Sequence, residues 1–164
     1  MRKPGSCFDF HGCVVPDIES TDKFGAITEL VRRTAAFREV KQNPAFLNAV
    51  FNRERERSTG FGHGIAVAHA KTECVKRIEI ALGISHKGID FDSIDHMPVN
   101  LLFLISTPVH KAEHYLKLLS VLMTVMRNTD LRERLLSIYD ADQIESLLDD
   151  RFRCCYKEKC PDEI

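Results

Sequence analysis

Residues 99–105 read Val-Asn-Leu-Leu-Phe-Leu-Ile, the most hydrophobic run in the chain. A run of this length fits a central strand buried on both faces. Such a strand needs neighbours on each side and helices above and below, so it constrains the rest of the fold. The other elements agree. Residues 64–70 (with Ile65, Ala66, Val67 and Ala68) read as a short buried strand. Residues 76–83 alternate through Ile78, Ile80 and Leu82 as a further strand. Residues 88–91 suggest a turn and a short extended piece, and Cys13, Val14 and Val15 one short strand in the lead-in.

Helices lie before and after these strands. Ser20, Thr21 and Asp22 are good N-cap residues, and Phe24, Ile27, Leu30 and Val31 follow at helical spacing, which predicts a helix over 22–36. Pro44 opens a second helix with Phe46, Leu47, Val50 and Phe51 on its apolar face; it must end before Gly60. Thr107 and Pro108 open a long helix whose stripe is Leu116, Leu119, Leu122, Met123 and Met126, widened by Leu118, Val121 and Val125. Asp130 with Glu133, and Asp140 with Gln143, are capping-box patterns for two more helices. The order helices, strands, helices predicts an α/β fold: one domain with a mixed sheet of about four to five strands flanked by helices. The expected bounds are a flexible lead-in over 1–10, the domain over 11–152 and a flexible cysteine-containing tail over 153–164.

At 164 residues the chain is long enough for a single core. Its formal net charge of -1 argues against nucleic acid as a partner, which needs a basic surface. No apolar run approaches the roughly 18 residues needed to span a bilayer, and Met1 to Cys7 lack the apolar core of a signal or lipoprotein leader. The expected location is the cytoplasm, with no membrane insertion. The cysteines at 7, 13, 74, 154, 155 and 160 form no Cys-x-x-Cys pair. Cys154, Cys155 and Cys160 read as free thiols of the tail, with a metal site as the alternative.

The chemically richest stretch begins with Arg53, Glu54, Arg55, Glu56 and Arg57 and continues through Ser58, Thr59, Gly60, Phe61, Gly62, His63 and Gly64 to His69. The glycines do not make a dinucleotide fingerprint, because that motif follows a strand and opens a helix; here the helix comes first. They expose backbone N–H groups suited to an anion, joined by the hydroxyls of Ser58 and Thr59 and by guanidinium groups. His69 closes the apolar strand, where a cleft normally lies, and an imidazole that is neutral at cell pH is a competent nucleophile. Anion donors upstream of a strand-end histidine point to phosphoryl transfer through the imidazole; the alternative is a histidine hydrogen-bonded within the core.

The stretch from Ser58 to Lys71, Ser-Thr-Gly-Phe-Gly-His-Gly-Ile-Ala-Val-Ala-His-Ala-Lys, resembles the active-site signature of the enzyme IIA proteins of the bacterial phosphoenolpyruvate–sugar phosphotransferase system, fructose/mannitol and nitrogen-regulatory class. The likeness continues through residues 88–95, 98–104 and 114–119. It implies that His69 is phosphorylated by an HPr-type phosphocarrier and passes the group to an enzyme IIB partner, or holds it as a signal that controls target proteins. It implies further that Arg53 contacts the phosphoryl group, that His114 is the second active-site histidine, and that Ser58, Thr59, Gly60, Gly62 and His63 form a phosphoryl cradle. No cofactor and no metal are implied, and no sugar binds the chain itself. With no permease or IIB segment in the sequence, a stand-alone regulator is the alternative to a transport carrier. Two positions depart from the family pattern: Ala68 stands where proline is usual, and His63 where asparagine is usual.

The remaining candidates are weaker. His110 and His114 stand four apart, as a metal pair on one helix face would, but no carboxylate motif accompanies them. His86 and His96 flank expected turns and read as solvated, and His11 lies in the lead-in. Glu54, Arg55, Glu56 and Arg57 read as a solvated helix end.

Overall fold

The computed structural model describes residues 9–159; most of the expected lead-in, with Cys7, and the last part of the tail, with Cys160, lie outside them. Among the described residues one mixed sheet is built from β1 (Val14–Val15), β2 (Gly60–Gly62), β3 (Ile65–Thr72), β4 (Glu79–Ile89) and β5 (Val99–Pro108), in the order β1-β4-β5-β3-β2. The apolar run does form the central strand: Leu101 to Ile105 are at most 2% exposed. β5 runs antiparallel to β4 and parallel to β3, and β1 joins β4 in parallel. Of the expectations, the five-stranded mixed sheet with flanking helices is what is found.

Helix α1 (Lys23–Arg33) is capped by Asp22, whose carboxylate accepts the Gly25 N–H, and buries Ala26, Ile27, Leu30 and Val31. It stops short of 36 because Thr34 is extended. Helix α2 (Pro44–Glu56) starts from Asn43 as N-cap with Pro44 in the first turn, where its missing N–H costs nothing. It lies against β3. α3 (Ala112–Met126), α4 (Thr129–Ser137) and α5 (Ala141–Lys159) complete the fold.

Four sequence expectations need correction. First, 76–83 and 88–91 are not separate pieces. β4 runs from Glu79 to Ile89, and Gly88 sits at φ +85° inside it, in the stretch between Ile84 and Ile89 where the β4–β5 register shifts. A Cβ there would lie 2.7 Å from Pro98 Cβ. Second, residues 107–108 belong to β5. A 3-10 turn at Val109–Lys111 precedes α3, so His110 and His114 do not share a continuous helix face. The core side of α3 is Tyr115, Leu118, Val121, Leu122, Val125 and Met126, and Leu116 is 61% exposed. Third, α4 is capped by Asn128, which accepts the Leu131 N–H, and Asp130 lies inside its first turn; Asp140 does cap α5, accepting the Gln143 N–H at 2.9 Å.

The fourth correction concerns the ends. Phe10 is fully buried and meets Phe152 edge-on at 5.0 Å. Helix α5 continues past 152, and Cys155 and Tyr156 are buried, so these residues are core and not tail. Two α5 carboxylates hold the lead-in: Asp149 accepts the Phe10 N–H at 3.0 Å and Glu145 the Gly12 N–H at 2.8 Å. Burial raises the pKa of both groups. Cys154 is exposed. Among the described residues no group of three or more His, Cys, Asp or Glu side chains is placed to hold a metal ion.

Candidate active site

On α2 the buried positions are Phe46, Val50 and Glu54, spaced four apart along one face. The expected solvated helix end therefore holds for Arg55, Glu56 and Arg57, which are exposed, and fails for Glu54, which is 2% exposed. Its carboxylate has specific work. It accepts the Thr59 backbone N–H at 3.0 and 3.2 Å and the Thr59 hydroxyl at 2.5 Å, and the Lys23 ammonium lies 3.6 Å away. A buried charge survives only with partners of this kind. Glu54 thus fixes the chain where α2 hands over to the glycine stretch.

That stretch is itself a strand and a tight turn. Gly60 and Gly62 in β2 pair antiparallel with Ala66 and Ile65 of β3. Gly62, His63 and Gly64 take φ of +92°, +54° and +75° between the two strands. His63 replaces asparagine in a left-handed position, a conformation in which both residues are enriched, so the turn is kept. Its N–H donates to Asp95 Oδ2 at 2.8 Å, and this bond, with that of Met97, lowers the Asp95 pKa. Gly60 is needed for a different reason: a Cβ there would lie 2.4 Å from Ser93 Oγ and 2.8 Å from Ser93 Cα.

These bonds change the expected cradle. The Ser58 hydroxyl donates to the Phe91 carbonyl at 2.6 Å and accepts the Gly60 N–H at 3.2 Å. Both donors of Thr59 go to Glu54. Ser58, Thr59 and Gly60 do line the cleft described below; Gly62 and His63 do not. The donors expected to wrap an anion are thus largely committed to holding the loop.

The cleft has a volume of about 850 Å³ and is walled by α2, β2, His69 of β3 and Tyr115 of α3. Phe61 and Ile94 line it as exposed apolar side chains, and Lys23, Arg53, Arg55 and Arg57 as cations. A separate cavity of about 280 Å³, lined in part by Arg38, Lys76, Arg77 and Glu79, shares no residue with it.

His69 faces Ile105 across the β3–β5 ladder. Its Nδ1 lies 3.0 Å from the Val67 carbonyl oxygen, and Arg53 Nε–H donates to its Nε2 at 3.2 Å. A carbonyl only accepts and a guanidinium only donates. Together they assign the tautomer: the proton is on Nδ1 and the lone pair on Nε2. Burial pushes the imidazole pKa down, the Val67 bond opposes that, and the charges of Arg53 and Lys71 push it down further. The net shift is downward, so the ring is neutral at pH 7. Arg53 is braced by a bond from Nη1 to the Arg57 carbonyl oxygen at 2.9 Å.

The resemblance pairs His69 with His114. The structure does not bring them together in the cleft wall: His114 is exposed and not among the lining residues. The ring against His69 is Tyr115, with centroids 5.3 Å apart and a tilt of 34°. Tyr115, Glu54 and Lys23 are the site residues that sequence reading missed. A signal existed for Glu54: it stands four and eight positions after Val50 and Phe46, on the apolar face of α2.

Ala68 is fully buried and pairs with Leu104. β2 reaches only as far as Ala66 along the opposite edge of β3. Proline is compatible with such an edge, and alanine keeps the same extended chain.

A family model described as the phosphoenolpyruvate-dependent sugar phosphotransferase system, EIIA 2, matches residues 10–151. The chain belongs to that family. As an EIIA 2 protein it is a phosphotransferase component. It is 37% identical over 126 residues to the PTS system fructose-specific EIIA component of Haloferax volcanii, covering 77% of this chain and 82% of the relative. Nitrogen regulatory protein IIA-Ntr from Neisseria meningitidis superposes with a TM-score of 0.75 at 26% identity, covering 84% of this chain and 93% of that one. Enzyme IIAMTL of Escherichia coli, solved in complex with phosphorylated enzyme IIBMTL, shares the fold at a TM-score of 0.67 and 19% identity, covering 84% and 94%.

Proposed function

We propose that this EIIA 2 chain is a phosphohistidine carrier: Nε2 of His69 accepts a phosphoryl group from a phosphorylated HPr-type phosphocarrier and passes it to an enzyme IIB partner. The observation that carries this reading is the imidazole held from both sides, by the Val67 carbonyl at Nδ1 and by Arg53 at Nε2. It leaves one nucleophilic lone pair, directed at a guanidinium inside an open cleft.

In the transfer the donor's P–N bond breaks as the bond from phosphorus to Nε2 forms. The bonding pair returns to the donor's imidazole, and the Nδ1 proton of His69 stays on its bond to Val67. A transferring phosphoryl group needs alignment and charge stabilisation more than covalent help. Arg53 supplies the charge by moving its N–H bonds from the lone pair to the phosphoryl oxygens, where charge-assisted bonds are stronger than neutral ones. The Glu54–Thr59 bonds hold the wall against which this happens. A relay fed by HPr puts the chain in the cytoplasm, and among the described residues no helix is long and apolar enough to cross a membrane.

The likeness to a nitrogen regulatory protein supports a second reading, in which the phosphoryl group is a signal to target proteins. Phe61 and Ile94, 46% and 70% exposed beside the cleft, are where a bound partner would sense the new charge.

The test supplies phosphoenolpyruvate, enzyme I and HPr. One acid-labile phosphoryl group should appear by intact mass and vanish in His69→Ala; no uptake by the wild type refutes the carrier reading. Capture of targets that differs between unphosphorylated protein and His69→Glu favours signalling, and capture of only HPr and a IIB protein favours transport.

A further inference from the structure

We infer that the hydroxyl of Tyr115 donates a hydrogen bond to the phosphoryl group on Nε2 of His69, filling the donor role that the resemblance gives to His114. The inference rests on the carrier reading above.

Three observations converge on Tyr115. It lines the cleft with Arg53 and His69, while its neighbour His114 does not. Its ring is fixed in place: it is 6% exposed, packs 5.3 Å from the imidazole, and has the Lys71 ammonium 5.7 Å from its centroid. The third is that its hydroxyl makes no hydrogen bond to another described residue and is not among the buried polar atoms left unpartnered, so it opens to the solvent of the cleft. A phenol that opens into the cleft beside the imidazole is a donor available to a group bound there.

The electrostatics suit that role. Burial raises the phenol pKa, so the proton is retained at neutral pH, and the Arg53 charge, opposing that rise, acts on the phenol as it does on the imidazole. One guanidinium therefore addresses both rings. A phosphoryl group bonded to Nε2 would meet Arg53 and the phenol together, a full charge and a neutral donor. The donors of Ser58 and Thr59 are spent on Phe91 and Glu54, which leaves the group short of other partners on this wall. No proton moves: the O–H bond stays intact and only its acceptor is new.

The test is Tyr115→Phe, which keeps the ring and its packing and removes the donor. A neutral donor on a charged acceptor is lost at a cost of about ten- to a hundredfold in rate or equilibrium. Uptake from phosphorylated HPr should slow by about tenfold or more, and the phosphohistidine should hydrolyse faster once the donor is removed. The thermal unfolding midpoint should stay unchanged, which a purely packing role for the hydroxyl does not predict. Equal rates and lifetimes in wild type and Tyr115→Phe overturn the inference and leave the carrier reading standing. A loss seen in His114→Ala and absent in Tyr115→Phe also overturns it. A wild type that takes up no phosphoryl group on His69 overturns both.

Discussion

Glu54→Ala is the sharpest probe of how the site is held. The substitution strands two donors of Thr59, the backbone N–H and the hydroxyl, at a residue only 5% exposed. Each buried donor left without an acceptor costs about 1–3 kcal/mol. The partly exposed Lys23 pair adds at most about 1 kcal/mol. Water entering the vacated volume offsets part of the penalty, so the expected loss is about 3 kcal/mol, a large share of a typical 5–15 kcal/mol stability. In urea, with a slope of about 1–3 kcal/mol per molar, the midpoint falls by about 1–3 M. Glu54→Gln keeps one acceptor oxygen with two lone pairs and should lose only about 1 kcal/mol. The decisive measurement is a double-mutant cycle with Thr59→Val: the two losses should fail to add by about 1 kcal/mol or more. Phosphoryl uptake by Glu54→Ala should fall even below the denaturation midpoint, because the loop beside His69 is no longer fixed. A loss under about 1 kcal/mol, additive with Thr59→Val, refutes the view that this carboxylate pins the loop.

Three further outcomes follow from the geometry. His69 should titrate by NMR below the ordinary imidazole value of about 6.5, since burial and Arg53 favour the neutral ring; its contribution to stability is present above the unfolded pKa and lost as pH falls through the folded one. Arg53→Gln should move that pKa upward, and a wild-type value above 6.5 contradicts the assigned tautomer's environment. Gly60→Ala should cost at least about 2 kcal/mol in denaturant titrations, and Ser93→Ala should not rescue it, because Ser93 Cα itself lies 2.8 Å from the added carbon; full rescue shows that the clash is only with the hydroxyl. Asp149→Ala and Glu145→Ala should each lose about 1–3 kcal/mol by stranding the N–H of Phe10 or Gly12, with hydrogen exchange at those two amides rising; unchanged exchange there means that the lead-in is held by Phe10 packing alone.

Much of the fold was legible because burial leaves a plain mark on sequence. Residues 99–105 carry no charge and stand in the middle of the sheet, and Pro44 begins α2 where its geometry allows. What was not legible depended on phase or on long-range approach. Gly88 looks the same in a turn and inside a strand whose register shifts, and only the pairing of β4 with β5 decides between them. Beginning the apolar stripe of α3 at Leu116 instead of Tyr115 misplaces the first turn of its core face, and on a helix one position is about 100° of rotation. That is the difference between His114 in solvent and Tyr115 against His69. Glu54 sits in an alternating charged run whose pattern says solvent, yet it falls on the same face as Phe46 and Val50. That His69 and Arg53 meet in one cleft agrees with local spacing and resemblance; the commitments of the loop donors were not readable, because their partners come from residues 54, 91 and 95.

The bond from His69 Nδ1 to the Val67 carbonyl oxygen bears on energetics as well as on orientation. With that proton parked on the main chain, loading and unloading the ring in the proposed relay would both be proton-neutral for this protein. The direction of flow between donor and acceptor is then set by how well each site solvates a dianion, and not by the acidity of the medium. On that proposal the chain would run equally well in reverse, discharging onto whichever neighbouring protein offers the better electrostatic well at that moment.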